Sequence, residues 1–276
     1  MNPTLAPRSE DVVRTEPVDH HDPLGRRDYL SVEHLERYRF ACRNLEPGAR
    51  VLDLACGAGY GTAMLAVHGC SAVGADCDPE TVALARRSFP TGEFECADAR
   101  NLPFADASFD AVVTFETIEH VVDGDAYLRE MRRVLRPGGR LLCSTPNIAY
   151  TAHPVFHVRE YRPAEFFALV ETVFGECERF GQYFGRRERL VDLYRWHIKP
   201  KLLGTADAIG LRRLVRALRG GPRRPTAIAI APEARMRALR TWLASPAHPD
   251  HAVRRHDGDR LLRIMVAMAH KENARG

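Results

Sequence analysis

Lysine is almost missing from this chain: of 40 basic residues only Lys199, Lys201 and Lys271 are not arginine. A bias that general reads as genome composition, so arginine content alone is no sign of an acidic partner. Long apolar runs are missing too. None approaches the roughly 20 residues of a membrane-spanning helix, and residues 1–28 lack the apolar centre of a secretory signal. That stretch, rich in Pro, Asp and Arg, is expected to be a poorly ordered tail on a cytoplasmic protein. Cysteine is limited to seven residues, an odd number with no C-x-x-C pair, which argues against a disulfide framework or a zinc ribbon. Cys56, Cys96 and Cys143 lie on or beside apolar strands and read as small core residues.

What is present centres on residues 51–62, VLDLACGAGYGT. Val51 to Leu54 is a short apolar run broken only by Asp53, as expected of a strand buried on both faces. Gly57, Gly59 and Gly61 then permit a tight turn and close approach of a ligand to the backbone. The helix that follows points free N–H groups at the same edge. The spacing is G-x-G-x-G, with Thr62 where a dinucleotide fingerprint has its third glycine, which disfavours a nicotinamide-dependent oxidoreductase. Asp53 at the strand tip suits an ammonium group better than a pyrophosphate.

Four further strands repeat this strand-and-acid pattern or continue the alternation. Ser71–Asp76 ends in a carboxylate able to accept from both hydroxyls of a ribose. Asp78, Pro79 and Glu80 supply the N-cap, first-turn proline and early acid of a helix to Ser88. Phe94–Asp98 places Asp98 where it can accept an adenine amine. Asp110–Phe115 is a fourth strand, Asp125–Leu135 a helix closed by Pro137, Gly138 and Gly139, and Arg140–Ser144 a fifth strand.

In residues 53–61, 75–76, 97–99 and 135–140 the chain resembles the successive motifs of class I S-adenosylmethionine-dependent methyltransferases, over roughly residues 30–180 and a last strand near 260–269. The resemblance implies an α/β fold: a doubly wound, seven-stranded, mostly parallel sheet, Rossmann-like, with a basic, mainly helical insertion before the last strand. It implies S-adenosyl-L-methionine as cofactor. Asp53 and the glycine loop (Gly57, Gly59 and Gly61) would hold the methionine part, Asp76 the ribose, and Asp98 with Ala99 the adenine, with Ala55, Cys77 and Phe115 completing the cofactor-binding set.

The domain reading is a tail over 1–28, a core over 29–183, a basic insertion over 184–258, and the last strand with a C-terminal tail over 259–276. Strand six is expected at Val173–Tyr183 and strand seven at Leu261–Ala269, antiparallel to its neighbours; the separation far exceeds an ordinary loop. Between 184 and 240 stand 15 basic and 4 acidic residues, against a net charge of +4 for the whole chain. Three readings of this insert stand: a cap with a solvated arginine face, a wall for a phosphate-bearing acceptor, or peripheral contact with an acidic membrane surface. Few aromatics and no RNA module argue against nucleic acid.

The chemistry is expected just beyond strand four. Glu116, Glu119 and His120 are three and four positions apart, so one helical turn would gather them on one face. Methyl transfer needs close placement and often a base for the acceptor proton. His120 fits that role, oriented by a neighbouring carboxylate. A divalent-metal site and an ordinary helix start are the alternatives, and the E-x-x-E-H pattern is similar to methyltransferases of the ubiquinone O-methylating type, which implies the metal alternative; the reading assigns no metal. His157 and Tyr161 are further candidates over the acceptor, with His153 weaker. His34, Arg37 and Tyr38 are spaced to share one face of a helix lidding the cofactor. Residues 34–38, 55–61 and 156–161 together resemble a methyltransferase subgroup associated with glycan assembly. The reading is therefore O-methylation of a sugar, glycan or other small-molecule hydroxyl, with N-methylation of an amine or a non-catalytic nucleoside-binding scaffold as alternatives.

Overall fold

Apolar residues at period two on the strands and on single faces of the helices build a three-layer α/β structure. The computed structural model describes residues 29–150, 157–183, 231–247, 252–256 and 262–272. The helices are α1 (Tyr29–Arg43), α2 (Tyr60–His68), α3 (Pro79–Ser88), α4 (Gly124–Val134), α5 (Pro163–Phe174) and α6 (Pro232–Ala244). The strands are β1 (Arg50–Leu54), β2 (Ser71–Asp76), β3 (Glu93–Cys96), β4 (Phe109–Phe115), β5 (Leu135–Pro146), β6 (Cys177–Tyr183), β7 (Arg254–Arg255) and β8 (Leu262–His270). They form one sheet in the order β3-β2-β1-β4-β5-β8-β6-β7.

The first five strands in that order pair in parallel. β8 runs antiparallel between β5 and β6. Connections diverge to opposite sides between β1 and β4, so a crevice opens beyond their carboxyl ends, where open α/β sheets bind ligands.

Alternation along each strand sends side chains to the two faces in turn. Leu52, Leu54, Val112 and Leu141 pack with Tyr127, Leu128 and Met131 of α4 and Phe166, Phe167 and Val170 of α5. Val51, Ala111, Val113 and Leu142 pack on the other face with Leu35 and Ala41 of α1, Met64 and Leu65 of α2, Val82 and Ala85 of α3, and Leu239 of α6. Full burial of each large side chain contributes about 1.5–3 kcal/mol. Two carboxylates fix helix starts: Asp78 accepts from the Glu80 and Thr81 amides, and Asp123 from the Ala126 amide.

Several boundaries differ from the sequence expectation. The sheet has eight strands, because Arg254 and Arg255 add a two-residue edge to β6. Val173 and Phe174 finish α5 inside the core, so β6 starts only at Cys177. Residues 137–139, expected to close a helix, lie within β5, which begins at Leu135 by pairing with Phe109. Cys96 is exposed on β3, whereas Cys56 and Cys143 are buried as expected; all seven cysteines are free.

The chain divides into two compact units, Met1–Tyr183 with Ile230–Gly276, and Phe184–Ala229. The second unit, the 1–28 tail, His153 and Phe156 lie outside the described residues. Within the stretch read as insertion, α6 belongs to the first unit and buries Leu239 fully. Among the described residues no helix is long and apolar enough to cross a membrane.

Candidate functional site

The loop after β1 holds its shape through residues that tolerate or require a left-handed backbone. Ala55, Gly57 and Gly59 have φ of 59°, 54° and 82°. Gly57 is favoured by that left-handed conformation alone: nothing of the protein lies within 4 Å of where a Cβ would sit, so its backbone borders open space. That open backbone is the cradle a ligand can occupy. Gly61 lacks a side chain for a different reason. A Cβ there would stand 2.0 Å from Cζ of Tyr38, so the position accommodates a protein ring. Gly59 is likewise packed, against Phe94 and Ala85.

Asp53 is enclosed. It has no exposed surface; Tyr38 donates its hydroxyl to Oδ1 at 2.9 Å and Thr62 donates to Oδ2 at 2.7 Å. Burial pushes its carboxyl up to about 7, against the two hydrogen bonds, which favour the charged form. Asp53 thus joins α1, β1 and α2 at the base of the glycine loop and offers no free oxygen.

Asp76 stands at the neighbouring strand tip. The Gly57 amide donates to its Oδ2 at 3.0 Å and the Asp78 amide to Oδ1 at 3.1 Å. Burial raises its pKa, and those amides oppose the rise. Cys77 beside it is half-buried, and burial pushes its thiol up to about 11. Asp98 lies further out with 41% of its side chain exposed, and Arg100 grips both of its oxygens at 2.7–3.1 Å. That guanidinium holds the Asp98 carboxyl below the ordinary range. Ala99 packs against the core. Phe115 is buried with its ring edge-on to Tyr38, centroids 5.1 Å apart.

Beyond β4 the expected single helical turn does not form. Glu116 has φ 56°, and only Ile118–His120 makes a three-residue 3-10 turn. The left-handed residue breaks the helical path and holds Glu116 off the turn that carries Glu119 and His120, though its charge still reaches Glu119. Glu116 turns to Ser144, whose hydroxyl is 3.4 Å from Oε1, and to Arg37, whose Nη2 is 3.9 Å from Oε2. Glu119 stays buried beside His120, its Oε1 4.0 Å from His120 Nε2, and accepts from Thr145 Oγ1 at 2.8 Å.

His157 completes the group from the following loop. The amides of Val158 and Arg159 both donate to the Glu119 carbonyl, at 2.8 and 3.0 Å, and dock that loop. The rings of His120 and His157 meet edge to face at 5.0 Å, and Glu160 Oε1 lies 3.2 Å from Nδ1 of His157. One ligand-capable atom from each of Glu119, His120 and His157 falls within 4.8 Å of the others. Two imidazoles and a carboxylate can relay a proton or hold a divalent cation. Burial, then the nearby Glu116 charge, raises the Glu119 pKa well above normal. Glu116 is raised by burial and pulled back by Arg37.

Of the three α1 residues expected on one face, His34 and Tyr38 both meet Tyr60, and only Arg37 turns elsewhere. His34 Nδ1 meets the Tyr60 hydroxyl at 3.3 Å and Tyr38 reaches Asp53, while Arg37 donates from Nη1 to Gln182 of β6 at 2.6 Å. The structure adds Thr62, Thr145 and Glu160 to the site. Of these only Thr62, standing in for a fingerprint glycine, had a local signal; the others depend on contacts across the fold. Tyr161, named over the acceptor, is fully buried in the core beside Phe166.

The family model described as a methyltransferase domain matches residues 52–143. A "probable S-adenosylmethionine-dependent methyltransferase" of Mycolicibacterium smegmatis is 41% identical over 48% of this chain and 53% of its own, so the chain spans about half the length of that relative. An O-methyltransferase of Pyrenophora dematioidea is 33% identical over 66% of this chain and 68% of its own. Among solved structures, a phosphoethanolamine N-methyltransferase of Haemonchus contortus, in complex with phosphomonomethylethanolamine and S-adenosylhomocysteine, superposes with a TM-score of 0.51 at 18% identity, over 85% of this chain and 52% of that one. At that identity the likeness speaks for the fold.

Proposed function

The chain belongs to the S-adenosylmethionine-dependent methyltransferases, and from that premise we propose that it methylates the oxygen of a small-molecule hydroxyl, a sugar or glycan hydroxyl being the acceptor class. The observation that carries the reading is the convergence of Glu119, His120 and His157 at the tip of β4, one strand from the glycine loop.

The donor's residues fit. Gly57 leaves open backbone for the methionine part, Asp76 stands where a ribose would lie, and Asp98 with Ala99 borders the adenine end. When bound, the donor supplies an electrophilic methyl group on a sulfonium, open to in-line displacement. A hydroxyl with a pKa far above neutral attacks poorly unless its proton is taken as the new C–O bond forms. His120 takes that proton; Glu119 and His157 hold its ring in place. The C–S bond breaks as the C–O bond forms, and a thioether and a proton leave. An amine acceptor, already nucleophilic, would gain less from such a base. The subgroup resemblance of residues 34–38, 55–61 and 156–161 favours the sugar class, and the arginine-rich stretch 184–240 suits an acceptor bearing phosphate.

Release of adenosylhomocysteine from purified protein tests the reading. Methyl-labelled donor is offered with panels of sugars, sugar phosphates, phenols and amines. The expected result is label on oxygen, in hydroxyl panels only. Label on nitrogen alone would replace O-methylation by N-methylation, and donor binding without release in any panel would mark a scaffold.

A further inference from the structure

Ser144 and Thr145 are consecutive near the tip of β5, so their side chains face opposite sides of the sheet. Ser144 Oγ stands 3.4 Å from Glu116 Oε1, and Thr145 Oγ1 donates to Glu119 Oε2 at 2.8 Å. Leu142, two residues before Ser144, packs in the cluster that holds α1; Cys143, two before Thr145, packs in the cluster that holds α4 and α5. Glu116 therefore stands on the α1 side of the strand tip, and Glu119, His120 and His157 on the other. The two sides are close enough for the Glu116 charge to act on Glu119 and for His157 to act on Glu116. An acceptor whose reactive hydroxyl lies at His120 presents its next polar group to Glu116.

The state of Glu116 fits a group kept for a ligand. Its backbone is left-handed, φ 56°, a strain that concentrates at functional sites. A fifth of its side chain is exposed, against 2% for Glu119. Its side-chain contacts among the described residues are long: 3.4 Å to Ser144, and 3.9 Å to Arg37 Nη2, within ion-pair range but beyond a hydrogen bond. Arg37 is fully buried; its Nη1 is engaged by Gln182, and among the described residues its Nε and Nη2 have no hydrogen-bond partner. Its charge backs the carboxylate from inside the protein, where no acceptor reaches. A partly exposed carboxylate backed by a cation and short of donors is suited to accept from hydroxyl groups.

We propose that Glu116 selects the acceptor: its carboxylate accepts from a second hydroxyl of a polyhydroxylated acceptor, while His120 takes the proton of the hydroxyl being methylated. The acceptor is then a sugar or polyol, and a phenol or monohydric alcohol is a poor substitute. Arg37 is a positioning residue that holds the carboxylate and touches no ligand. The inference rests on the O-methylation reading and deepens it.

Turnover by the full chain with methyl-labelled donor tests this on two kinds of acceptor. Methyl pyranosides of the common hexoses carry several hydroxyls on a six-membered ring; cyclohexanol carries one on a ring of the same size. The native protein should prefer the best pyranoside by about 100-fold or more in kcat/KM, because an acceptor lacking the second hydroxyl leaves the carboxylate unpaired. Removing the hydroxyls of that pyranoside one at a time should single out one, besides the methylated one, whose loss costs about 10- to 100-fold. Glu116→Gln should cut the preference over cyclohexanol by about tenfold, and removal of the singled-out hydroxyl should then cost the variant far less than it costs the native protein. Adenosylhomocysteine affinity by calorimetry should stay within about threefold, which also certifies the fold of the variant. A full preference retained in Glu116→Gln, or donor affinity cut tenfold or more, overturns the assignment and leaves O-methylation standing. Should the variant not fold, the native deoxy series decides, and equal turnover of every deoxy analogue overturns it. Label on phenols or cyclohexanol with none on pyranosides also overturns it while O-methylation stands. Label on amines alone overturns O-methylation and this assignment together.

Discussion

Tyr38 and Gly61 are shaped for each other: the tyrosine ring occupies the space a Cβ at Gly61 would need, 2.0 Å from Cζ, while its hydroxyl reaches Asp53. One side chain thereby keys α1 to both the strand tip and the glycine-loop helix. Tyr38→Phe keeps the ring and leaves the buried Oδ1 of Asp53 without its donor, a loss of about 1–3 kcal/mol. Gly61→Ala keeps the hydrogen-bonding groups and forces the ring aside, again by about 1–3 kcal/mol. Urea denaturation measures both. If Gly61→Ala proves neutral, the tight contact is not a constraint on the fold.

Asp53 gives a pH signature. Burial holds its carboxyl near 7 in the folded chain, against 3.8 for an ordinary aspartate. A folded-state pKa raised above the unfolded value means that the folded chain binds the extra proton between those limits. The stabilisation is full below about 4 and is lost as pH rises through about 7. Stability of the native protein should therefore fall between pH 4 and 7 more steeply than that of Asp53→Asn, by up to about 1.4 kcal/mol per pH unit. Parallel stability curves for the two proteins over that range would show that Asp53 is already charged when folded.

The strand-tip acids and the glycine loop were legible because each is a local signal: an apolar run, an acid, a turn residue. The mostly parallel sheet with its antiparallel last strand followed from the family resemblance that those motifs carry. Asp53 shows the limit. Its position at the strand tip was readable, but its enclosure depends on Tyr38, fifteen residues earlier, and on the helix face carrying Thr62. Glu116 shows a second limit. Spacing of three and four placed it with His120 on one helical face, and a single left-handed residue sent it to Arg37 instead. His157 was nameable but its meeting with His120 was not, because the Glu119 carbonyl docks that loop through backbone bonds, which leave no mark on residue types.

Gly57 separates ligand space from protein space. Its Cβ would meet nothing, so Gly57→Ala should cost the fold only the left-handed strain, about 1–2 kcal/mol. The same methyl group would stand where the donor lies. Adenosylhomocysteine should then raise the melting temperature of the native protein and raise that of the variant far less. Equal shifts would move the donor away from Gly57.

His120 carries the acceptor chemistry. His120→Ala should lower kcat by about 10²- to 10⁴-fold and leave adenosylhomocysteine affinity within about twofold, since the donor's contacts lie elsewhere. His157→Ala should act in the same direction and more weakly, because it supports the ring of His120 by an edge contact. Unaltered turnover in His120→Ala removes it from the chemistry.

The same three side chains can bind a cation, and chelation decides between the two uses. With His120 as base, turnover by the native protein persists after exhaustive chelation and dialysis. As metal ligands, Glu119, His120 and His157 would leave a chelated protein inactive, and one divalent cation would restore it. The ligand set predicts which residues such rescue depends on: Glu160→Gln, which removes the carboxylate charge beside His157, would raise the cation concentration needed by about 10- to 100-fold. Persistence of turnover without any added cation, coupled to loss in His120→Ala, assigns proton removal to the imidazole.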